Sequence, residues 1–325
     1  MNVITYGPEG SKVCEKHEIS GYLSREGYTV WVDLAAAEAE GLHVLRDIFQ
    51  FHPLAIEDTI NQRQRPKIEQ YNGYLFIILN SVSKAPQEKA DVEFHEVNAF
   101  VGRNYLVTVH LRGEKIIDEM QARLQRANQA NLMSAGYLLY HLLDVMVDGY
   151  FPVLDELADR IETLEEDVLA RPRKQLLDEM FALRRVLSEM WRVVGHQRDM
   201  FGLLLHHQEV FIKSDVLQYY MRDVYDHLIR ISDTVNTFRD LLTGMVELYM
   251  SAVSNRLNMV VTRLTVITLV IGVMTVISGF YGMNFENHTT FWPPLDAPWG
   301  VGAVVGMMLI VILLSLVVLR LIKWE

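Results

Sequence analysis

Hydrophobic positions along this chain follow three patterns, and each predicts a different kind of element. Over residues 1–130 the apolar runs are short and rich in branched and aromatic side chains. Thr29–Leu34, Tyr74–Val82, Val92–Val101 and Tyr105–His110 read as strands, with Gly102-Arg103-Asn104 as a hairpin turn between the last two. Ala35–Phe51 and Pro53–Ile60 read as helices between the strands, which makes this an α/β domain. From Asn131 onward strand signals stop. Leu132–Leu169 reads as one helix ending at Arg171-Pro172, where the proline ring forbids continuation, and Pro172 opens a second helix to about His207. The two predict an antiparallel hairpin. The distal half of its first arm carries Asp155, Glu156, Asp159, Glu162, Glu165, Glu166 and Asp167, which reads as a solvated face with cation concentration as the alternative.

The second pattern is a heptad. Ser214-Asp215 is a helix N-cap signal, and no proline follows until Pro293. One helix is predicted from Asp215 to about Gly282, 68 residues or about 100 Å. Leu217, Met221, Val224, Leu228, Ile231, Val235, Phe238, Leu242, Met245 and Tyr249 recur at alternating spacings of 4 and 3. Such a seam asks for helical partners, either the chain's own hairpin or other copies about an axis, and the two are compatible.

The third pattern is absence of charge. Leu264–Tyr281 and Gly300–Leu319, runs of 18 and 20 residues, hold no Asp, Glu, Lys or Arg. The shorter run spans about 27 Å as a helix, close to the hydrocarbon thickness of a bilayer. Both predict transmembrane helices, so the lipid bilayer is an expected partner. Arg256 and Arg263 precede the first span, Arg320 and Lys323 follow the second, and the linker between them carries Glu286 and Asp296 without a basic residue. The positive-inside rule then places both termini in the cytoplasm and the linker outside, with Trp292, Trp299 and Trp324 suited to the interfacial belts.

Composition narrows the function. A net charge of −11 argues against a nucleic-acid partner and suits cations. Cys14 is the sole cysteine, so no intrachain disulfide forms, as suits a reducing cytoplasm. No hydrophobic run opens the sequence, so no signal peptide is expected. His95-Glu96, His196 and His206-His207 lack metalloprotease spacing, nucleophile motifs and a Walker motif are absent, and no enzyme is predicted. Continued into the first span, the seam passes to a stripe of small and hydroxyl residues: Asn258, Val261, Thr265, Thr268, Gly272, Thr275, Gly279 and Gly282. Close helix packing explains such a stripe, and so does a path wet enough for an ion. Gly302-xxx-Gly306 suits close packing of the second span.

Tyr281-Gly282-Met283-Asn284 closes the first of the two C-terminal spans. Together with Ser254-Asn255-Arg256-Leu257-Asn258, His52-Pro53-Leu54-Ala55-Ile56-Glu57-Asp58, Arg65-Pro66-Lys67-Ile68-Glu69 and Arg222-Asp223-Val224-Tyr225-Asp226-His227, it resembles the CorA magnesium transporters over most of the chain. The resemblance implies a mixed sheet flanked by helices, then long helices and two transmembrane helices, assembled as a funnel-shaped homopentamer with first spans inside. The expected parts are a cytoplasmic α/β domain (1–130), a cytoplasmic helical hairpin (131–213), the cytoplasmic part of a pore helix (214–263), a pore-lining span (264–283), an external loop (284–299), a second span (300–320) and a cytoplasmic tail (321–325), in a cell inner membrane.

The transported ion implied is Mg2+, with Co2+ beside it. A carrier of zinc, nickel or cobalt with the same architecture is the alternative, mildly supported by His288. Because Mg2+ sheds water reluctantly, neutral oxygens from Asn284, Thr275 and Thr268 suit a hydrated ion, and Gly282 and Met283 are expected to shape the turn presenting Asn284, Gly282 by freeing the chain to leave the helix. The resemblance also implies a regulatory Mg2+ at Asp223 between subunits, beside Asp226 and His227. The usual acidic partner is replaced by Ser83-Lys84-Ala85, with Glu88 and Asp91 as candidate substitutes. No organic cofactor is expected. A proline usual midway along the first span is here Gly272-Val273-Met274.

Overall fold

The computed structural model describes residues 1–35, 39–61, 64–84, 92–111, 114–127, 134–206, 215–283 and 298–322. It divides into two compact units, Met1–Val246 and Glu247–Glu325.

In the first unit, β1 (Asn2–Gly7) and β2 (Gly10–Val13) form an opening hairpin, with Gly10 at φ +107°, a conformation that favours glycine. Then come α1 (Ile19–Leu23), β3 (Thr29–Ala35), α2 (Ala39–His43), α3 (Pro53–Asn61), β4 (Lys67–Tyr71), β5 (Tyr74–Lys84), β6 (Val92–Gly102), β7 (Tyr105–His110) and α4 (Glu114–Ala127). The strands make one sheet in the order β2-β1-β3-β7-β6-β5-β4. Only β3 and β7 pair in parallel, Asp33 opposite Thr108, so the sheet is mixed as expected. The sequence pattern singled out neither the β1–β2 hairpin nor β4; β2 is mostly exposed and β4 half-buried, whereas β1 is short but buries Val3, Thr5 and Tyr6.

Alternation splits the buried strand residues between two faces. Val30, Val32, Leu34, Phe76, Ile78, Phe100, Val107 and Val109 pack with Ile19, Val44, Leu45, Phe51, Ala55 and Ile56. The helix expected over Ala35–Phe51 is not continuous. α2 passes into a π-helical turn at Val44–Ile48, and the chain then bends at Gln50, φ 54°. The bend seats Phe51 on Phe100, ring centroids 4.1 Å apart, just ahead of His52-Pro53, where a proline disfavours helix in the residue before it. Burial of one aromatic ring therefore outweighs helix continuity.

The opposite sheet face meets α5 (Ala135–Asp148), α6 (Tyr150–Ala170) and α7 (Lys174–His206). The single helix expected over Leu132–Leu169 is interrupted at Gly149. Pro152 lacks the N–H that would bond the Asp148 carbonyl, so the ladder loses a rung there. The Tyr150 hydroxyl then donates to the Asn80 carbonyl at 2.8 Å, and the Asn80 N–H donates to Gln197 Oε1 at 2.6 Å, tying α6 and α7 to β5. Arg171 leaves the helix at φ −155° ahead of Pro172, and an Arg160–Glu179 ion pair joins the two arms of the hairpin.

α8 (Asp215–Tyr281) runs 67 residues without a break. Leu217, Met221, Val224, Leu228, Ile231, Val235, Leu242 and Met245 are buried within this one chain. Tyr220 packs on Tyr137 and Tyr140 of α5, His227 and Arg230 flank Phe151 of α6, and the Arg239 guanidinium lies 4.9 Å from the Trp191 ring centroid on α7. The heptad seam is thus satisfied by the chain's own helices. In the second unit, α8 continues as the first uncharged segment and α9 (Gly300–Ile322) supplies the second. Each has an apolar window long enough to cross a bilayer.

Candidate functional site

Helical phase decides what the first uncharged segment offers. Its half-buried positions are Val266, Val270, Val273, Met274, Ile277 and Tyr281, of which Val266, Val270, Val273 and Ile277 keep the seam's 4 and 3 spacing. Asn258, Val261, Thr265, Thr268, Gly272, Thr275 and Gly279 are all exposed. At about 100° per residue their stripe lies roughly 150° around the helix from the covered one. The expectation that the seam itself becomes the stripe is therefore corrected: past the exposed Arg256, Met259 and Arg263 the seam's phase falls on half-buried aliphatics, and the stripe occupies the far face. A Cβ added at Gly272 or Gly279 would meet nothing within 4 Å, so no contact among the described residues requires glycine there. Thr265, Thr268 and Gly272 line one side of an open groove of about 690 Å³ whose other walls include Leu264, Leu269 and Val276.

The hydroxyl groups on this stripe are committed in one direction. Thr265 donates to the Val261 carbonyl at 2.9 Å, Thr268 to Leu264 at 2.9 Å and Thr275 to Ile271 at 2.8 Å. Each has spent its only proton inside the helix and is left with oxygen lone pairs, so the face accepts hydrogen bonds and cannot donate them. Water around a cation points its hydrogens outward, and an acceptor face suits that shell.

Among the expected filter residues, Gly282 and Met283 follow directly on α8, the Gly282 N–H donating to the Ser278 carbonyl at 2.9 Å. Gly282 is not at positive φ, which corrects the reason expected for it. A Cβ there would stand 3.2 Å from the Ser278 oxygen, so glycine serves close approach to the last turn rather than left-handed exit. Asn284 and His288 lie outside the described residues.

The expected regulatory residues sit at the other end of α8. Asp223 and Asp226 are exposed, whereas His227 is half-buried and turned away from its helix neighbours. Its Nδ1 is 3.7 Å from Asp148 of α5, with its ring edge-on to Phe151 at 5.5 Å. Asp226 lines a separate shallow groove with Ile229, Arg230 and Asp233. Among the described residues no three His, Cys, Asp or Glu side chains are grouped to hold a metal, so one chain does not assemble a site from Asp223, Asp226 and His227 alone. Glu88 and Asp91 lie outside the described residues.

What does converge here is a charged knot the sequence reading missed. Arg123 of α4 reaches Asp144 at 2.6 Å and Asp148 at 2.9 Å, both on α5, and Glu119 at 3.2 Å. Burial holds the Asp144 carboxyl above the usual range, Asp148 adding to it and Arg123 opposing. Burial, then the Arg123 charge, lowers His141 to about 4. Tyr140 is pushed up to about 12 by burial, then by Asp144 and Asp223. The signal in the sequence was His141, Asp144 and Asp148 at 3 and 4 spacing on an otherwise apolar helix.

An α/β domain, a long helix and two apolar C-terminal helices with an acceptor-lined exposed face define a polytopic membrane protein. The chain belongs to the CorA-like Mg2+ transporter family, whose model matches residues 26–321. It is 35% identical over 329 residues to the cobalt/magnesium transport protein CorA of Thermotoga maritima, covering 100% of this chain and 92% of that one. It is 34% identical over 281 residues to the putative metal ion transporter YfjQ of Bacillus subtilis, covering 86% and 84%. In fold it matches the complete structure of the CorA magnesium transporter from Methanocaldococcus jannaschii, with a TM-score of 0.79 at 22% identity and 98% of each chain covered. Members of this family are transporters, not enzymes.

Proposed function

We propose that this chain forms a homopentameric channel through which Mg2+ enters the cytoplasm down its electrochemical gradient, Co2+ being the second ion it passes. The exposed acceptor face carries this reading. Two spans from one chain enclose no path, but a ring of α8 helices does, each with its covered face outward and Thr265, Thr268, Gly272, Thr275 and Gly279 inward. Asn258 and Val261 extend the lining below, and Asn284 with Gly282 and Met283 forms the outer filter. No lining position carries a charge, so a divalent ion passes with its water and is not trapped. A membrane potential, negative inside, supplies about 4.6 kcal/mol per 100 mV for a divalent ion. Both termini lie in the cytoplasm of a cell inner membrane, residues 264–283 and 300–320 cross it, and 284–299 face outward.

Cytoplasmic Mg2+ closes this channel. Asp223 holds the ion between adjacent subunits, with Asp226 and His227 beside it and Glu88 or Asp91 of a neighbour completing the set. Bridged carboxylates hold the ring symmetric. When Mg2+ falls, like charges repel and α8 carries the motion to the span. The relative from Thermotoga maritima is named for cobalt as well as magnesium, which keeps the softer-metal alternative in play. Flux into liposomes with Mg2+, Co2+, Ni2+ and Zn2+ in competition tests the reading. Mg2+ influx blocked by Co2+ is expected; uptake of Zn2+ or Ni2+ without Mg2+ would replace it, and no flux of any ion would overturn it.

A further inference from the structure

From Leu248 to Phe285 the chain, which overall carries a net charge of −11, contains no Asp or Glu. Its only charges in that stretch are Arg256 and Arg263. Both are exposed, and neither makes an ion pair among the described residues. Seven residues apart, they share one face of α8, about 10 Å from each other along the axis. Val260 lies between them, four residues past Arg256 and three before Arg263, and Val253 and Leu264 border the same surface. Val260 is 53% and Leu264 61% exposed. The surface thus pairs two unneutralised guanidinium groups with an apolar margin, where the uncharged span begins.

We infer that this Arg256–Arg263 face is a binding surface for anionic phospholipid, the arginines taking the headgroup phosphate and the Val260–Leu264 margin the first carbons of the acyl chains. The inference rests on the membrane reading of α8. Helical side chains tilt toward the helix N-terminus, so Arg263, next to the first residue of the span, leads its guanidinium back out of the hydrocarbon into the headgroup layer. There it meets phosphate oxygens in the planar, two-pronged geometry that guanidinium favours. Arg256 stands about two turns further out, within a Debye length of an anionic surface, and adds attraction to the same headgroup region. With no Asp or Glu from Leu248 to Phe285, no carboxylate of this stretch competes for either group.

The test uses the full-length protein in mild detergent. It is titrated with phosphatidylglycerol and with phosphatidylcholine of the same acyl chains, and bound lipid is read by native mass spectrometry. Each basic residue near an anionic surface contributes about five-fold, so the parent is expected to prefer phosphatidylglycerol roughly 30-fold. Arg256→Gln and Arg263→Gln should each lose about five-fold of that preference, and the double variant nearly all of it. The double Lys variant should retain most, which separates charge from any effect on folding, and Arg171→Gln should retain it in full. A double Gln variant with parental preference, or a parent without preference, overturns the surface while leaving the membrane reading intact. Release of the chain from membranes by alkaline carbonate without detergent would overturn the membrane reading itself, and this surface with it.

Discussion

Leu228→Ala separates two uses of the heptad seam that the sequence alone leaves equal. Leu228 is fully buried, and its neighbours along the seam, Val224, Ile231 and Val235, are buried with it inside one chain. Truncating a buried leucine costs about 2–5 kcal/mol through lost transfer energy plus the cavity left behind. That is a large part of a typical domain's stability of roughly 5–15 kcal/mol. The cost should fall on the fold of the protomer. Hydrogen exchange of the full-length protein, read by mass spectrometry over residues 217–245, should accelerate by about 30-fold or more, the factor that 2 kcal/mol gives when opening limits exchange. Leu257→Ala, at a position 61% exposed, should change exchange over the same residues by no more than about 0.5 kcal/mol allows. If Leu228→Ala left exchange unchanged but released chains of 37.5 kDa from the oligomer, the seam would be a contact between copies and the packing described here would be wrong.

Thr268→Val keeps the shape of the side chain but removes the acceptor oxygen, so Mg2+ flux should fall severalfold while Thr268→Ser stays near parental; equal flux in all three would refute the acceptor-face reading. Asn284→Ala should abolish or greatly reduce Mg2+ uptake with the oligomer intact, whereas a mere capping role would show only as about 1 kcal/mol of lost stability. Asp223→Ala should need more internal Mg2+ for inhibition of current, and an unchanged inhibitory concentration would remove it from the sensor. His141 is lowered from 6.5 to about 4 in the folded chain, so the unfolded chain binds the extra proton first. Its contribution to stability is present above about 6.5 and is lost as the pH falls toward 4. Asp144, raised in the folded state, acts with the opposite sign nearer its own lower range. His141→Asn should therefore flatten unfolding free energy between pH 6.5 and 5, and an unaltered slope would show that the ring does not titrate as described.

The chain's linear pattern determined those features that depend on local chemistry. Uncharged length marks Leu264–Tyr281 and Gly300–Leu319 because hydrocarbon penalises charge wherever it falls. The unbroken α8 follows from the absence of proline between Asp215 and Pro293, and β3, β5, β6 and β7 from branched and aromatic runs buried on both faces. Tertiary structure decided what depends on partners distant in sequence. β2 and β4 are held by neighbours and not by their own composition, and Phe51 finding Phe100 broke a helix that periodicity favoured. Heptad spacing states that α8 has a partnered face but cannot say whose. Burial within the chain assigns that face to α5, α6 and α7. Arg123, Asp144, Asp148 and His227 come from three helices, and only folding brings their charges within a few ångströms.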